Sequence, residues 1–83
     1  MKITVRYFAA IREAVGQGSE SVVTSAATLA HLRDELVARG APWSEVLARE
    51  RAVRMALDQS LCDESVALTE GCEVAFFPPV TGG

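Results

Sequence analysis

The sequence predicts an α+β fold, a mixed β-sheet packed on one main helix with short helices beside it. Three features lead to that reading. Apolar and polar residues alternate with period two near both ends, at Lys2–Phe8 and at Glu73–Phe77. A single stretch after Thr28 carries apolar residues at helical spacing. At 83 residues the chain has room for about one small domain, which limits the architecture to a single core.

In the opening segment Ile3, Val5 and Tyr7 take one face and Lys2, Thr4 and Arg6 the other, the pattern of a half-buried strand. Phe8 falls on the polar parity and so points outward, where a large ring calls for a covering partner. Ala9–Val15 suits a short helix, stopped by Gly16-Gln17-Gly18 because glycine accepts the left-handed backbone that ends helices. A second strand follows over Glu20–Thr24. Thr28 is placed to cap the main helix, predicted over Leu29–Arg39, because Leu29, Leu32, Leu36 and Val37 repeat at i, i+3, i+7 and i+8. Gly40 ends that helix, and Pro42 opens a short one carrying Trp43, Val46 and Leu47. Val53–Leu57 returns to strand composition, Asp58-Gln59-Ser60 turns the chain, and Leu61-Cys62 makes a brief strand. The turn Leu68–Gly71 feeds the last strand, in which Val74 and Phe76 share one face and Phe77 takes the other. Pro78-Pro79 then ends the ladder, since proline brings no amide hydrogen. The predicted organisation is a folded body over residues 1–77 and an extended, flexible tail over residues 78–83.

Eight basic against eleven acidic side chains leave a net charge of −3, so no nucleic acid and no anionic membrane is expected among the partners. No apolar run reaches the roughly 18 residues of a bilayer span, and the N-terminus opens as a strand instead of a signal peptide, which makes the cytoplasm the expected location. Cys62 and Cys72 are too few for a disulfide framework and lack C-x-x-C spacing. With His31 the only histidine, no metal site is expected.

The chain closes on Gly82-Gly83, which chance would produce in about half a per cent of sequences at ordinary glycine usage. A frayed terminus of small residues is the bland alternative. The two prolines argue against it, because a stiff segment projects the end outward, and residues 78–83 span at most about 20 Å, enough to enter another protein's active site. Glycines without Cβ atoms let the last peptide pass a narrow channel and present the Gly83 carboxylate unhindered. A carboxylate is a poor electrophile, so its use requires activation, ordinarily adenylation by ATP followed by displacement by a sulfur nucleophile. The chain has no G-x-x-x-x-G-K-[ST] loop, its one lysine is Lys2, and Gly16-Gln17-Gly18 is a lone G-x-G. ATP is therefore expected in an activating partner, with no cofactor held by this chain.

The stretch Leu68-Thr69-Glu70-Gly71-Cys72-Glu73-Val74-Ala75-Phe76-Phe77-Pro78-Pro79-Val80-Thr81-Gly82-Gly83, with the opening Val5-Arg6-Tyr7-Phe8-Ala9 and Ile11-Arg12-Glu13, resembles the small-subunit family of molybdopterin synthase. The resemblance spans the whole chain and its tail motif is specific. It implies a ubiquitin-like β-grasp fold and a sulfur-carrier role in molybdenum cofactor biosynthesis, not catalysis by the chain alone. On that reading an E1-like adenylyltransferase adenylates Gly83, which becomes a thiocarboxylate. The tail then enters the large catalytic subunit of a heterotetramer and donates sulfur to cyclic pyranopterin monophosphate, building the dithiolene. One departure stands out: the family often carries an acidic residue where this sequence has Cys72.

A β-grasp sheet would set Phe8 and Phe77 side by side on its outer face, a patch that Leu61 extends. Together with Pro78, Pro79, Val80 and Thr81 of the tail, these residues form the expected partner interface. Arg12 on the short helix is read either as a rim ion pair of that interface or as a solvated arginine. Cys62 and Cys72 read as ordinary thiols, His31 as a solvated helix residue and Trp43 as packing. Three other functions fit parts of the pattern: a carrier for thiamine, cysteine or tRNA thiolation, a modifier joined through Gly83 to target lysines, and a binding module with an inert tail.

Overall fold

The computed structural model describes residues 1–79, so Val80, Thr81, Gly82 and Gly83 of the predicted tail lie outside the described residues. Strand β1 (Lys2–Tyr7) leads into helix α1 (Ala9–Val15), strand β2 (Ser19–Val23), the main helix α2 (Leu29–Val37) and the short helix α3 (Trp43–Val46). Strands β3 (Arg54–Leu57), β4 (Ser60–Cys62) and β5 (Glu73–Phe77) follow. They form one five-stranded sheet in the order β2-β1-β5-β3-β4. The first and last strands meet in its centre as its parallel pair, with Thr4 opposite Glu73 and Tyr7 opposite Phe76.

Alternation fixes what each face does. Ile3, Val5, Tyr7, Val74 and Phe76 project inward and meet Leu29, Leu32 and Leu36 of α2, all essentially inaccessible to water. Fully burying each such side chain is worth about 1.5–3 kcal/mol. Tyr7 and Phe76, the two largest, stack with ring centroids 6.4 Å apart. The Thr28 hydroxyl accepts the His31 amide hydrogen, as the capping position predicts.

The structure moves several predicted ends. β1 stops at Tyr7 because Phe8, still extended at φ −131 and ψ 156, is the N-cap of α1. β2 is one residue earlier than predicted because Ser19 pairs with Arg6 and Val23 with Lys2, which turns Thr24 inward. α2 ends at Val37, not Arg39. The Arg39 and Gly40 amides donate to Leu36 and Val37 three residues back, tightening the last turn before Gly40 at φ +91. β3 starts at Arg54, whose partner Phe77 is the end of β5. Ser60 belongs to β4, leaving Asp58 and Gln59, at φ +48 and +70, as a two-residue hairpin turn.

Two polar clusters tie the helices to the sheet. The Tyr7 hydroxyl donates to the Glu20 carboxylate at 2.7 Å and accepts from the Trp43 indole at 3.1 Å, while Arg39 donates to both Glu20 oxygens and lies over the Trp43 ring. Trp43 is thus packing, as read, and also a donor. Burial pushes the Tyr7 hydroxyl above its ordinary range, helped by Glu20. For Glu20 burial acts upward, but the Arg39 and Tyr7 hydrogen bonds outweigh it and hold the carboxyl below its usual range. Because the folded value is the lower one, the stabilisation is complete above the unfolded carboxylate range and disappears as pH falls through the folded value. Glu20→Gln is therefore expected to cost about 1–2 kcal/mol at pH 7, a gap that closes below pH about 4 in urea denaturation series. A gap that stays constant with pH would remove the carboxylate from the account.

The second cluster surrounds Arg33, a charged residue only 5% exposed. Its guanidinium donates to the carbonyls of Leu47 at 2.7 Å, Ala48 at 2.8 Å and Arg51 at 3.4 Å, and reaches Glu64 at 3.5 Å. Arg49 joins Glu64 and Asp34 from outside. The segment between α3 and β3 has no regular structure of its own and is held through these carbonyls.

Candidate functional site

On the sheet face opposite the core, residues of one parity come into rows. Arg6 lies opposite Ala75, Ala75 opposite Ala56, and Ala56 opposite Leu61, so two alanines form a low floor between a charged and an apolar wall. One step past the registered pair Tyr7 and Phe76, Phe8 and Phe77 follow in the next row, with the Phe8 amide donating to the Phe76 carbonyl at 3.2 Å. These residues, with Gln59 and Glu73, line an open groove of about 510 Å³. Phe8 is 39% exposed and Leu61 67%, unusual for large apolar side chains outside an interface. The Arg6 guanidinium sits 5.5 Å from the Phe8 ring centroid and 3.8 Å from the Glu73 carboxylate, bridging the aromatic and acidic ends of the groove. Phe77, the last residue of β5, borders this groove, and Pro78 follows on the opposite side of the sheet.

The expected patch of Phe8, Leu61 and Phe77 is thus assembled by the sheet register. Ala56, Ala75, Arg6 and Glu73 were not singled out from the sequence. Their signal was present, since Arg6 shares parity with Phe8, and Glu73 and Ala75 with Phe77.

The ThiS family model matches residues 5–83. The chain belongs to the ThiS family. This ThiS-family chain is 40% identical over 81 residues to the molybdopterin synthase sulfur carrier subunit of Escherichia coli (strain K12), covering 98% of this chain and 99% of that relative. Its structure is similar to the small archaeal modifier protein 1 of Haloferax volcanii, at a TM-score of 0.75 and 26% identity over 95% of this chain and 98% of that one. It is also similar to a chain in the complex of subunits 1 and 2 of the molybdopterin-converting factor from Helicobacter pylori, at a TM-score of 0.69 and 25% identity with both chains fully covered. The fold is the ubiquitin-like β-grasp.

Other candidate residues of the ThiS-family chain fall in different places. Arg12, one helical turn past Phe8, is not among the groove residues. Its guanidinium lies over Gly18, where a Cβ would meet Nε at 3.2 Å, and it borders a separate concavity with Glu13 and the Gly16–Gly18 loop. The described residues include no ion pair for it. Pro78 and Pro79 are half-buried beyond the last strand, whereas Val80, Thr81, Gly82 and Gly83 lie outside the described residues. Cys72 is buried in the core, and Cys62 is half-buried with its thiol pushed up by burial and by Asp63, the opposite direction to the shift that activates a thiol. His31 is exposed. Among the described residues no group of three His, Cys, Asp or Glu could hold a metal ion, and no helix is long and apolar enough to cross a membrane.

Proposed function

We propose that this chain is the sulfur-carrier subunit of a molybdopterin synthase, with the Gly83 carboxylate as its working group. The observation that carries the reading is the 40% identity, over nearly the full length of both chains, to a relative named for that role. The likeness to a chain in the two-subunit Helicobacter pylori complex supports a large subunit as partner.

In the proposed cycle an E1-like enzyme binds ATP, and a Gly83 carboxylate oxygen attacks the α-phosphorus, releasing pyrophosphate. A sulfide-level nucleophile then displaces AMP from the acyl adenylate and leaves a thiocarboxylate. In the large subunit its sulfur bonds to a side-chain carbon of cyclic pyranopterin monophosphate as a carbon–oxygen bond at that carbon breaks and the oxygen leaves, and water then cleaves the acyl–sulfur bond, leaving sulfur on the pterin and restoring the carboxylate. Two rounds supply the dithiolene. The carrier itself contributes a docking face and a slender end, while catalytic side chains belong to the partners.

The test is the intact mass of the chain produced beside its activating enzyme. A carrier shows a fraction with one oxygen exchanged for sulfur; an unchanged mass removes the proposal. A modifier reading draws support from the likeness to the archaeal modifier protein and predicts higher-mass adducts on lysines instead.

The docking face yields a separate expectation. Phe77→Asp introduces a charge at the aromatic end of the groove and should weaken binding to the large subunit by at least about 2 kcal/mol, with the melting temperature little changed because Phe77 lies off the core. Calorimetric titration showing wild-type affinity would move the interface elsewhere.

A further inference from the structure

β3 and β5 are antiparallel, and their last registered pair is Arg54 and Phe77. One step further the register brings Val53 opposite Pro78, whose nitrogen is turned towards β1 and not β3, and on the β3 side the next amide would be that of Pro79, so neither proline has a hydrogen to extend the ladders. At Pro78 and Pro79 the path of the chain is therefore set by shape rather than by sheet hydrogen bonds. The shape available is a slot of about 280 Å³ bordered by Pro78, Ile11 of α1, Val46 of α3, and Arg51, Ala52 and Val53.

The wall formed by residues 51–53 is irregular in backbone yet fixed. Arg33, buried in α2, donates to three carbonyls of the segment that leads into it, at Leu47, Ala48 and Arg51, and the Arg51 amide donates to Ala48 at 2.8 Å. A buried cation forked across an otherwise unstructured segment gives that wall a single position.

We propose that this slot is a guide that sets the direction in which the tail leaves the body, with Ala52 and Val53 as positioning residues for sulfur transfer. The proposal rests on the sulfur-carrier reading. A reactive end carried on a short arm magnifies any angular error at the arm's root, and misplacement of a reacting atom by about 1 Å can cost up to about a hundredfold in rate.

Ala52→Leu, at an exposed position, fills the slot, and Val53→Ala, at a half-buried one, widens it. Each thiocarboxylated variant is assayed for sulfur transfer against the large subunit, with thermal melting as the check on folding. The expected result is a kcat lower by about tenfold with an unchanged KM for the carrier, since docking through the aromatic face is intact. A purely structural role would not divide kcat from KM in this way. Any other pattern overturns the guide, including a raised KM with wild-type kcat, which would place residues 52 and 53 in the partner's footprint. Should Val53→Ala fail to melt cooperatively, Ala52→Leu decides alone. The wild-type mass separates the two levels: no oxygen-for-sulfur exchange there overturns the carrier reading and the guide with it, whereas a competent wild type with unaltered variants removes only the guide.

Discussion

Deletion of Gly83 is expected to abolish molybdopterin formation while leaving thermal unfolding unchanged. The two halves of that result have separate causes. The described core runs from Ile3 to Phe76, and the last registered strand pairing is at Phe77. On the proposed function the chemistry depends on where the terminal carboxylate lies, and a chain one residue shorter withdraws it by up to about 3.5 Å, beyond bonding reach of a reacting centre built for the longer arm. Adding one residue after Gly83 should be as damaging for the same reason. Reconstituted synthase with each chain, assayed for pterin product, checks both. Product formation by the shortened chain would show that the working group is elsewhere.

Arg33→Leu is expected to cost about 3 kcal/mol of folding stability, the largest effect of any charged residue in the described structure. Replacing a buried ion pair by apolar groups is often neutral, but Arg33 is bonded mainly to backbone. The carbonyls of Leu47 and Ala48 cannot be mutated away and would lose their donor in a dry site. Glu64 would not be stranded, because it is partly exposed and retains Arg49. Arg49→Ala, at an exposed pair, should cost much less than Arg33→Leu. Urea denaturation of both variants checks the contrast, and equal losses would show that the guanidinium fork does not hold the segment.

Much of this was legible in the sequence where one physical signal acted alone. Period two marked β1 and β5, and the Thr28 hydroxyl and the leucine spacing marked α2. Asp58-Gln59 marked the hairpin, although Ser60 joined the strand once its cross-strand partner Leu57 was in place. Ends slipped where a partner decides pairing: Arg39 has helical composition but follows a tightened last turn, and Val53 has strand composition but stands opposite a proline. That β1 and β5 lie side by side came from resemblance, since alternation says which face a residue takes and not which strand lies beside it.

The candidate face was half legible. Phe8 and Phe77 were conspicuous as large rings on a polar parity, but the alanine floor and the Arg6–Glu73 bridge arise only when four strands are in register. Of the two readings of Arg12, a rim ion pair or a solvated arginine, the described residues show an exposed side chain lying over Gly18. Arg33 shares the inward side of α2 with Leu29, four residues earlier, yet its charge reads as solvent-facing until the carbonyls it serves are seen.

The adjacency of the first and last strands has a consequence for synthesis in the cell. A ribosome making this polypeptide releases Lys2–Tyr7 long before the neighbour that must lie along it, Glu73–Phe77. The nascent chain thus waits, its middle unfilled, until that segment has emerged. A product cut short before Glu73 lacks the centre of its sheet, and the apolar face left open is the kind of surface that proteases and aggregation act on.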